Sequence, residues 1–395
     1  MARAPQGGPP ATEAPTMGVE EEFLLVGRDG LLAHEGQEVI AEAGDGPAEL
    51  VGEFARCQVE AAGPVCTTGG ELLTELRAAR RRLGAAASRR GLRLLAAGAP
   101  VLAERQAPPL NPAPRYTRIA EHFGGLANLA ASSCGCHVHV AVPDPETATR
   151  VINHLRPWLP FLLALSANSP YCEGTDTGYA SWRHQRWSNW PSAGPPPHLA
   201  SAAHYDACVT ELLHTGAALD PGMLYWDIRR SAHHPTVEVR ICDIPQTAEE
   251  TALIAVLVRA LVRAALDDIA ADRPPLAREH TTLRADLWHA AREGFAGRCA
   301  DPLAAGAARP ARDVAERALE RLRPYLADTG DLALAEEVLG ALGGPGGGAA
   351  RQRAAFAARG RLTDVVDHLA TATLDGLVLS AAPQPPPAHA RPAGG

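Results

Sequence analysis

Glutamates recur in this chain at the spacing that puts carboxylates on one face of a β-strand. Successive side chains of a strand point to opposite faces. In Gly18-Val19-Glu20-Glu21-Glu22-Phe23, Glu20 and Glu22 therefore share one side and Glu21 takes the other. The Cα atoms of the sharing pair lie about 6.6 Å apart. Gln58 and Glu60 stand together in Gln58-Val59-Glu60-Ala61, as do Glu238 and Arg240 in Thr236-Val237-Glu238-Val239-Arg240-Ile241. Each time the opposite face is apolar. Carboxylates so placed can share one hard cation or hold two adjacent ones, and oxygen ligands suit Mg²⁺, which bridges carboxylates to phosphate oxygens. Any one of these runs also describes an ordinary amphipathic strand with a solvated edge. Three of them together weigh toward a site.

The run Cys134-Gly135-Cys136-His137-Val138-His139 has the residue types of a zinc or copper centre. Strand alternation separates them: the cysteines face one way and the histidines the other, so one Cys₂His₂ centre cannot form without leaving the strand. The cysteines are read as small core hydrophobes and His137 and His139 as facing the site. Adjacent His233 and His234 diverge and are read as solvated or structural. Trp182, Trp187 and Trp190 are expected to pack a long loop. Arg183 and Arg186 reach a substrate carboxylate or are solvated, with neither preferred. Arg77, Arg80, Arg81 and Arg82 read as an exposed helix face.

The elements that must position these groups are short strands mixed with longer helices. Strands are expected at 17–26, 57–61, 134–142 and 235–244. Apolar residues at 72, 73, 76, 79, 83, 86 and 87 trace one face of a helix over 70–89. Further helices are expected at about 146–166, 248–272, 311–327 and 361–372. Segment 173–198 has no periodicity and reads as a functional loop, and 343–348 as a flexible joint before the last helix. This order predicts an α+β fold with a largely antiparallel sheet. Residues 1–15 and 382–395 are expected to be disordered tails around one domain, 16–381.

Composition prunes the chemistry. The chain has 395 residues and a net charge of −8, and all its basic side chains are arginine, since it contains no lysine. That removes the P-loop, Schiff-base and protein-kinase mechanisms, each of which needs a lysine. Any phosphate charge must be met by arginine and metal ions. The acidic balance argues against nucleic-acid or anionic-membrane partners. The longest apolar run, 251–266, is broken by Arg259 and Arg263. Eight scattered cysteines and an N-terminus without an apolar signal core predict reduced thiols and a cytoplasmic protein.

Several motifs, in order, resemble the type 2 glutamate–cysteine ligases, also called carboxylate–amine ligases. They are Gly18-Val19-Glu20-Glu21-Glu22-Phe23-Leu24-Leu25-Val26, Gln58-Val59-Glu60, and Cys134-Gly135-Cys136-His137-Val138-His139-Val140, followed by Ala167-Asn168-Ser169-Pro170, Thr177-Gly178-Tyr179-Ala180-Ser181-Trp182-Arg183 and Gly222-Met223-Leu224-Tyr225-Trp226-Asp227-Ile228-Arg229. Glu238-Val239-Arg240 and Arg351-Gln352-Arg353-Ala354 close the series. The resemblance implies a glutamine-synthetase-like fold, a curved antiparallel sheet with helices outside, and a site for ATP and Mg²⁺, or Mn²⁺ in its place. It implies metal-binding roles for Glu20, Glu22, Glu60, His137 and Glu238, and places Arg240, Glu238 and His137 at the nucleotide. Arg240, Glu60 and His139 become the catalytic candidates, and Arg229, Tyr225, Gln58 and Arg183 the substrate-binding ones. The implied reaction joins an amino acid to an amine through an acyl phosphate, glutamate with cysteine first among pairs. The other readings are the same chemistry on a different acid or amine, a metal-dependent amide hydrolase, and a non-catalytic relative. Assembly into a homo-oligomer is left open. Three departures from the family pattern are Gly27, where aspartate is usual, Ala141, where glycine is usual, and Asp243-Ile244-Pro245-Gln246-Thr247, which is expected to alter the acceptor pocket.

Overall fold

The computed structural model describes residues 14–104, 106–344 and 346–376. Of the expected tails only residues 14 and 15 fall within it. The stretch 377–381 of the expected domain lies outside the described residues as well.

The strand with the three glutamates, β1 (Met17–Val26), runs through the middle of a seven-stranded sheet. Its partners are β2 (Glu49–Gly52), β3 (Gln58–Ala62), β4 (Arg93–Leu95) and β5 (Gly135–Ala141). A short hairpin, β6 (Tyr171–Cys172) with β7 (Thr175–Asp176), stands apart. The sheet is completed by β8 (Ile228–Arg230) and β9 (Thr236–Asp243). The order is β2-β3-β1-β5-β9-β8, with β4 on the end of β1, and every pairing is antiparallel. A second hairpin joins β10 (Arg298–Asp301) to β11 (Ala307–Pro310).

Register carries the site across the sheet. Glu22 lies opposite Glu60, Glu20 opposite His137, His139 opposite Glu238, and Glu238 opposite Arg229. Between Cys136 and Val138 the β5–β9 register slips by one residue, so Arg240 and Ile241 together oppose His137. This bulge lets Val239 and Cys242 both pair with core residues of β5, re-aiming the strand beside the site.

The apolar face packs on helices. Ala248–Ala270, apolar nearly all round, lies against β1 and β5, and its start is set by a capping box between Thr247 and Glu250. Its Arg259 is buried against Asp331, and Arg263 pairs with Asp328 at 2.7 Å. Helix Gly69–Arg89 buries every position of the expected apolar face. Its arginines are not all on the solvated side, however. Arg80 is 1% exposed and donates to Glu21 at 2.6 and 3.0 Å. The expectation of an exposed arginine face fails there, because the helix passes over the core side of β1, where Glu21 needs a counter-charge.

Segment 173–198 is not one loop. It contains β7 and a helix, Trp182–Trp187, started by Ser181 accepting from the His184 N–H. The 343–348 stretch precedes two helices rather than one, Gly348–Arg359 and Leu362–Asp375. A second, smaller apolar cluster of Ile119, Ala127, Trp190, Ala218 and Met223 forms over the polar face of the sheet. It roofs the site.

Candidate active site

Between sheet and roof lies a cavity of about 210 Å³. Its floor includes Glu20, Glu22, Gln58, Glu60, His137 and Arg240. Strand alternation had put these on one face, and the register brings them together. Tyr225 belongs to the roof. Glu238 and His139 sit just behind the floor: Glu238 is ion-paired with Arg240, and His139 Nε2 is 3.2 Å from Glu20 Oε1.

The carboxylates form two clusters. Ligand atoms of Glu20, His137 and Glu238 lie within 4.8 Å of one another, and so do those of Glu22, Glu53 and Glu60. The two differ electrostatically. In the first, burial works against the charge of Glu20, but hydrogen bonds with His137 and His139 hold its carboxyl well below the usual range. Burial is likewise outweighed at Glu238, where Arg240 and Arg229 keep the carboxyl ionised. Arg229 donates to both Glu238 oxygens, at 2.7 and 3.1 Å. In the second cluster the Phe54 N–H and Arg240 offset the burial of Glu53 only in part. Burial and the neighbouring Glu53 push Glu60 well above the usual carboxylate range, and burial raises Glu53 too. Two buried acids at hydrogen-bonding distance cannot both ionise unless a cation joins them.

That shortage of positive charge fits a divalent cation. So does His137, whose Nδ1 lies 2.9 Å from Glu20 while its Nε2 is buried without a hydrogen-bond partner. With the Nδ1 proton turned to Glu20, the Nε2 lone pair is free to ligate. Oxygen-rich donor sets with one imidazole suit Mg²⁺ or Mn²⁺ better than a soft metal. The cysteines take no part: Cys134 and Cys136 are buried on the other face, and burial raises both thiols far above their usual range.

Glu53 is the residue that sequence reading missed. It follows β2, a strand not anticipated, and reaches the site only because the β2–β3 hairpin folds back with Gly52 opposite Val59. Its one signal was an acid next to an aromatic, Glu53-Phe54, five residues before Gln58. Three substrate-binding candidates are placed as supports. Arg183 is 2% exposed and lies against Gly135, with its guanidinium toward the Ile241 and Arg240 carbonyls. Arg229 spends its remaining donors on the Gly222 and Leu224 carbonyls. Gln58 touches the cavity, but its amide bridges the Ala55 N–H and the Ser133 carbonyl. Arg186 is buried against the Leu129 and Ala131 carbonyls. Trp187 and Trp190 do more than pack a loop, since both line the cavity. Gln246, within the departure expected to alter the acceptor pocket, is buried away from it against Asn168, Arg351 and His368.

This antiparallel sheet, with carboxylates and an arginine on its open face, has the glutamine-synthetase-like ligase fold. The glutamate–cysteine ligase of Francisella tularensis, solved in complex with AMP, superposes with a TM-score of 0.64 at 12% identity, over 92% of this chain and 89% of that one. A bifunctional glutathione synthetase from Pasteurella multocida gives 0.63 at 15%, over 92% of this chain and 52% of its own. Within that class the chain belongs to glutamate–cysteine ligase family 2, whose model matches residues 16–368. It is 47% identical over 366 residues to "Putative glutamate--cysteine ligase 2-1" of Rhodococcus jostii (strain RHA1), covering 91% of this chain and 98% of the relative. A "2-2" relative from Saccharopolyspora erythraea is 48% identical over 374 residues, 93% of this chain and 95% of its own. The resemblance read from the motifs is borne out. Among the described residues no helix is long and apolar enough to cross a membrane.

Proposed function

We propose that the protein joins a carboxylic acid to an amine in a reaction driven by ATP, through an acyl phosphate, with glutamate as the first acid to test. The observation that carries this reading is the pair of carboxylate clusters flanking Arg240 on one sheet face. Glu20, His137 and Glu238 would hold one Mg²⁺ and Glu22, Glu53 and Glu60 another. Bound there, such ions neutralise phosphate oxygens and orient the acid.

The chain's own residues supply the rest. Burial opposes the Arg240 charge, but Glu238 beside it outweighs this and keeps the guanidinium protonated at any working pH. Arg240 is therefore a fixed positive charge for the phosphoryl group in flight, as such transfers require. Arg229 anchors Glu238, and Glu238 anchors Arg240, so the group is aimed before substrate arrives. His139 is set behind Glu20 and holds that carboxylate in place.

In the first step the acid's oxygen bonds to the γ-phosphorus as the bond to ADP breaks. In the second, the amine nitrogen bonds to the acyl carbon, the carbon–oxygen bond to phosphate breaks, and phosphate leaves with the proton the amine loses. The 210 Å³ cavity is too small for a nucleotide as well. A larger cleft of about 690 Å³ adjoins it, sharing Arg115 and Gly222. We assign the base and ribose to that cleft, where Arg230 lies over the Tyr205 ring at 4.2 Å. All eight cysteines are unpaired, which suits a reducing cytoplasm.

The test supplies Mg-ATP, glutamate and hydroxylamine, which captures an acyl phosphate as a hydroxamate. Hydroxamate and phosphate should form together and fall away in Glu60→Ala. Amide hydrolysis without ATP consumption would replace this reading with that of a metal-dependent hydrolase.

A further inference from the structure

The roof of the cavity is as uniform as its floor, and of opposite character. Phe54, Tyr116, Ile119, Trp187, Trp190 and Tyr225 form it. The whole chain holds only 6 Trp, 6 Tyr and 6 Phe, so five rings around one small cavity is a marked concentration. The rings brace one another. Trp187 and Trp190 lie 4.8 and 5.3 Å from Tyr225, Phe54 meets Tyr116 edge-on at 5.5 Å, and Phe123 backs Trp190 at 5.1 Å. Burial pushes the Tyr225 hydroxyl up to about 12, so it stays neutral. The wall is thus preformed and flat-sided, with the Arg115 guanidinium over Tyr116 at 5.7 Å and that of Arg183 over Trp187 at 5.5 Å.

No free cation stands on it. Among the described residues lining the cavity, the cationic side chains are Arg240 and Arg115, since burial and Arg240 disfavour the charged form of His137. Arg240 is paired with Glu238, His137 with Glu20, and Arg115 with Asp220 through two bonds of 3.1 and 3.2 Å. Four carboxylates, Glu20, Glu22, Glu53 and Glu60, face the same space. Divalent ions held at the two clusters would be shared between these carboxylates and phosphate. A second substrate bearing its own carboxylate would meet like charge on the floor and, on the roof, rings whose neighbouring guanidiniums are already engaged by Asp220 and by the Ile241 and Arg240 carbonyls.

We propose, resting on the ligase reading above, that the acceptor is a primary amine with a flat apolar body and no carboxylate, of the arylalkylamine class, rather than an α-amino acid. Its ring lies against Trp187 and Tyr225, contributing apolar burial and ring–ring contact. Its nitrogen points toward the acyl carbon. Glu53 and Phe54 are consecutive, so a carboxylate of the second cluster and a ring that receives the amine's body sit side by side. Cysteine offers this wall little area and brings a carboxylate that finds no partner.

The experiment uses the full chain with Mg-ATP and two arms. The first traps the acyl phosphate with hydroxylamine, using glutamate and a panel of simple carboxylic acids. The second compares 2-phenylethylamine with L-cysteine as acceptors for whichever acid is activated, following product mass. We expect kcat/KM for 2-phenylethylamine to exceed that for cysteine by roughly tenfold or more. Trp187→Ala, and the milder Trp187→Leu in case the first folds poorly, should raise KM for 2-phenylethylamine more than they lower kcat. They should affect hydroxylamine, too small to reach the wall, less. If hydroxamate forms but cysteine is the better acceptor, or the Trp187 variants slow both nucleophiles equally, the acceptor proposal falls and the ligase reading stands. If no acid yields hydroxamate, the ligase reading fails and takes this proposal with it.

Discussion

Glu21 and Glu22 are consecutive on β1 and both nearly buried, at 1% and 8% exposure. Their surroundings have little in common. Glu21 faces the core and is fully answered: Arg80 grips both its oxygens, and the Thr251 hydroxyl donates at 2.7 Å. Arg80 is itself satisfied by the Pro245 and Gln246 carbonyls. Glu22 faces the cavity, accepts from the Gly135 N–H at 2.5 Å, lies 3.7 Å from His137 Nε2, and has Glu53 and Glu60 as its carboxylate neighbours. A buried charge kept for the fold comes with its partner built in. A buried charge kept for chemistry is left short of one, and the deficit makes room for a cation and substrate.

Neutralising each side should therefore act in opposite senses. Glu21→Gln strips Arg80 of its counter-charge and should cost about 3–5 kcal/mol in urea unfolding. A variant of native stability would mean the pair is dispensable. Glu60→Gln should lower ligase turnover by roughly 10²–10³-fold. In chelator-treated buffer the same variant should be more stable than the native chain by about 1 kcal/mol, since a repelling carboxylate has gone. Loss of stability there would contradict the shortage of positive charge.

Gly135 joins the two faces. A methyl group at this position would collide with the Arg183 guanidinium, which is held over the Trp187 ring at 5.5 Å. Gly135→Ala should cost about 1–3 kcal/mol through overpacking and weaken Mg²⁺ binding measured by calorimetry, because the Gly135 N–H positions Glu22. Unchanged Mg²⁺ affinity would sever that link.

A further effect concerns pH. Burial pushes Asp227 up to about 7, Arg183 pulling the other way, and one of its oxygens has no hydrogen-bond partner. A carboxyl that titrates higher when folded stabilises the fold fully below its ordinary value near 3.8. That contribution is lost as pH rises through about 7. Asp227→Asn should flatten the decline in urea midpoint over this window, and an unchanged slope would remove Asp227 as its source.

How much of this was legible depended on range along the chain. β1 was readable to its ends because ten alternating or buried residues are bounded by a turn at Gly27–Gly30. The helix expected at 248–272 was readable from its apolar pattern and is found at Ala248–Ala270. Arg80 was not, because a helix face that carries arginines looks solvated until a buried acid is placed beneath it. Glu53, Phe54 and Tyr116 were not, since none lies in a periodic run, and all three reach the cavity through pairings or packing from elsewhere in the chain.

By itself the sequence determined which atoms share a strand face, because alternation follows from local backbone geometry. It also determined that phosphate must be met by arginine and metal, because there is no lysine. Tertiary structure alone decided which faces meet. Cross-strand register set Glu22 against Glu60 and Glu20 against His137, and the β9 bulge turned Arg240 beside them. Packing of the second apolar cluster then laid aromatic rings over the carboxylates. Register and packing are settled by burying apolar area between distant segments, a balance that no local run of residues contains.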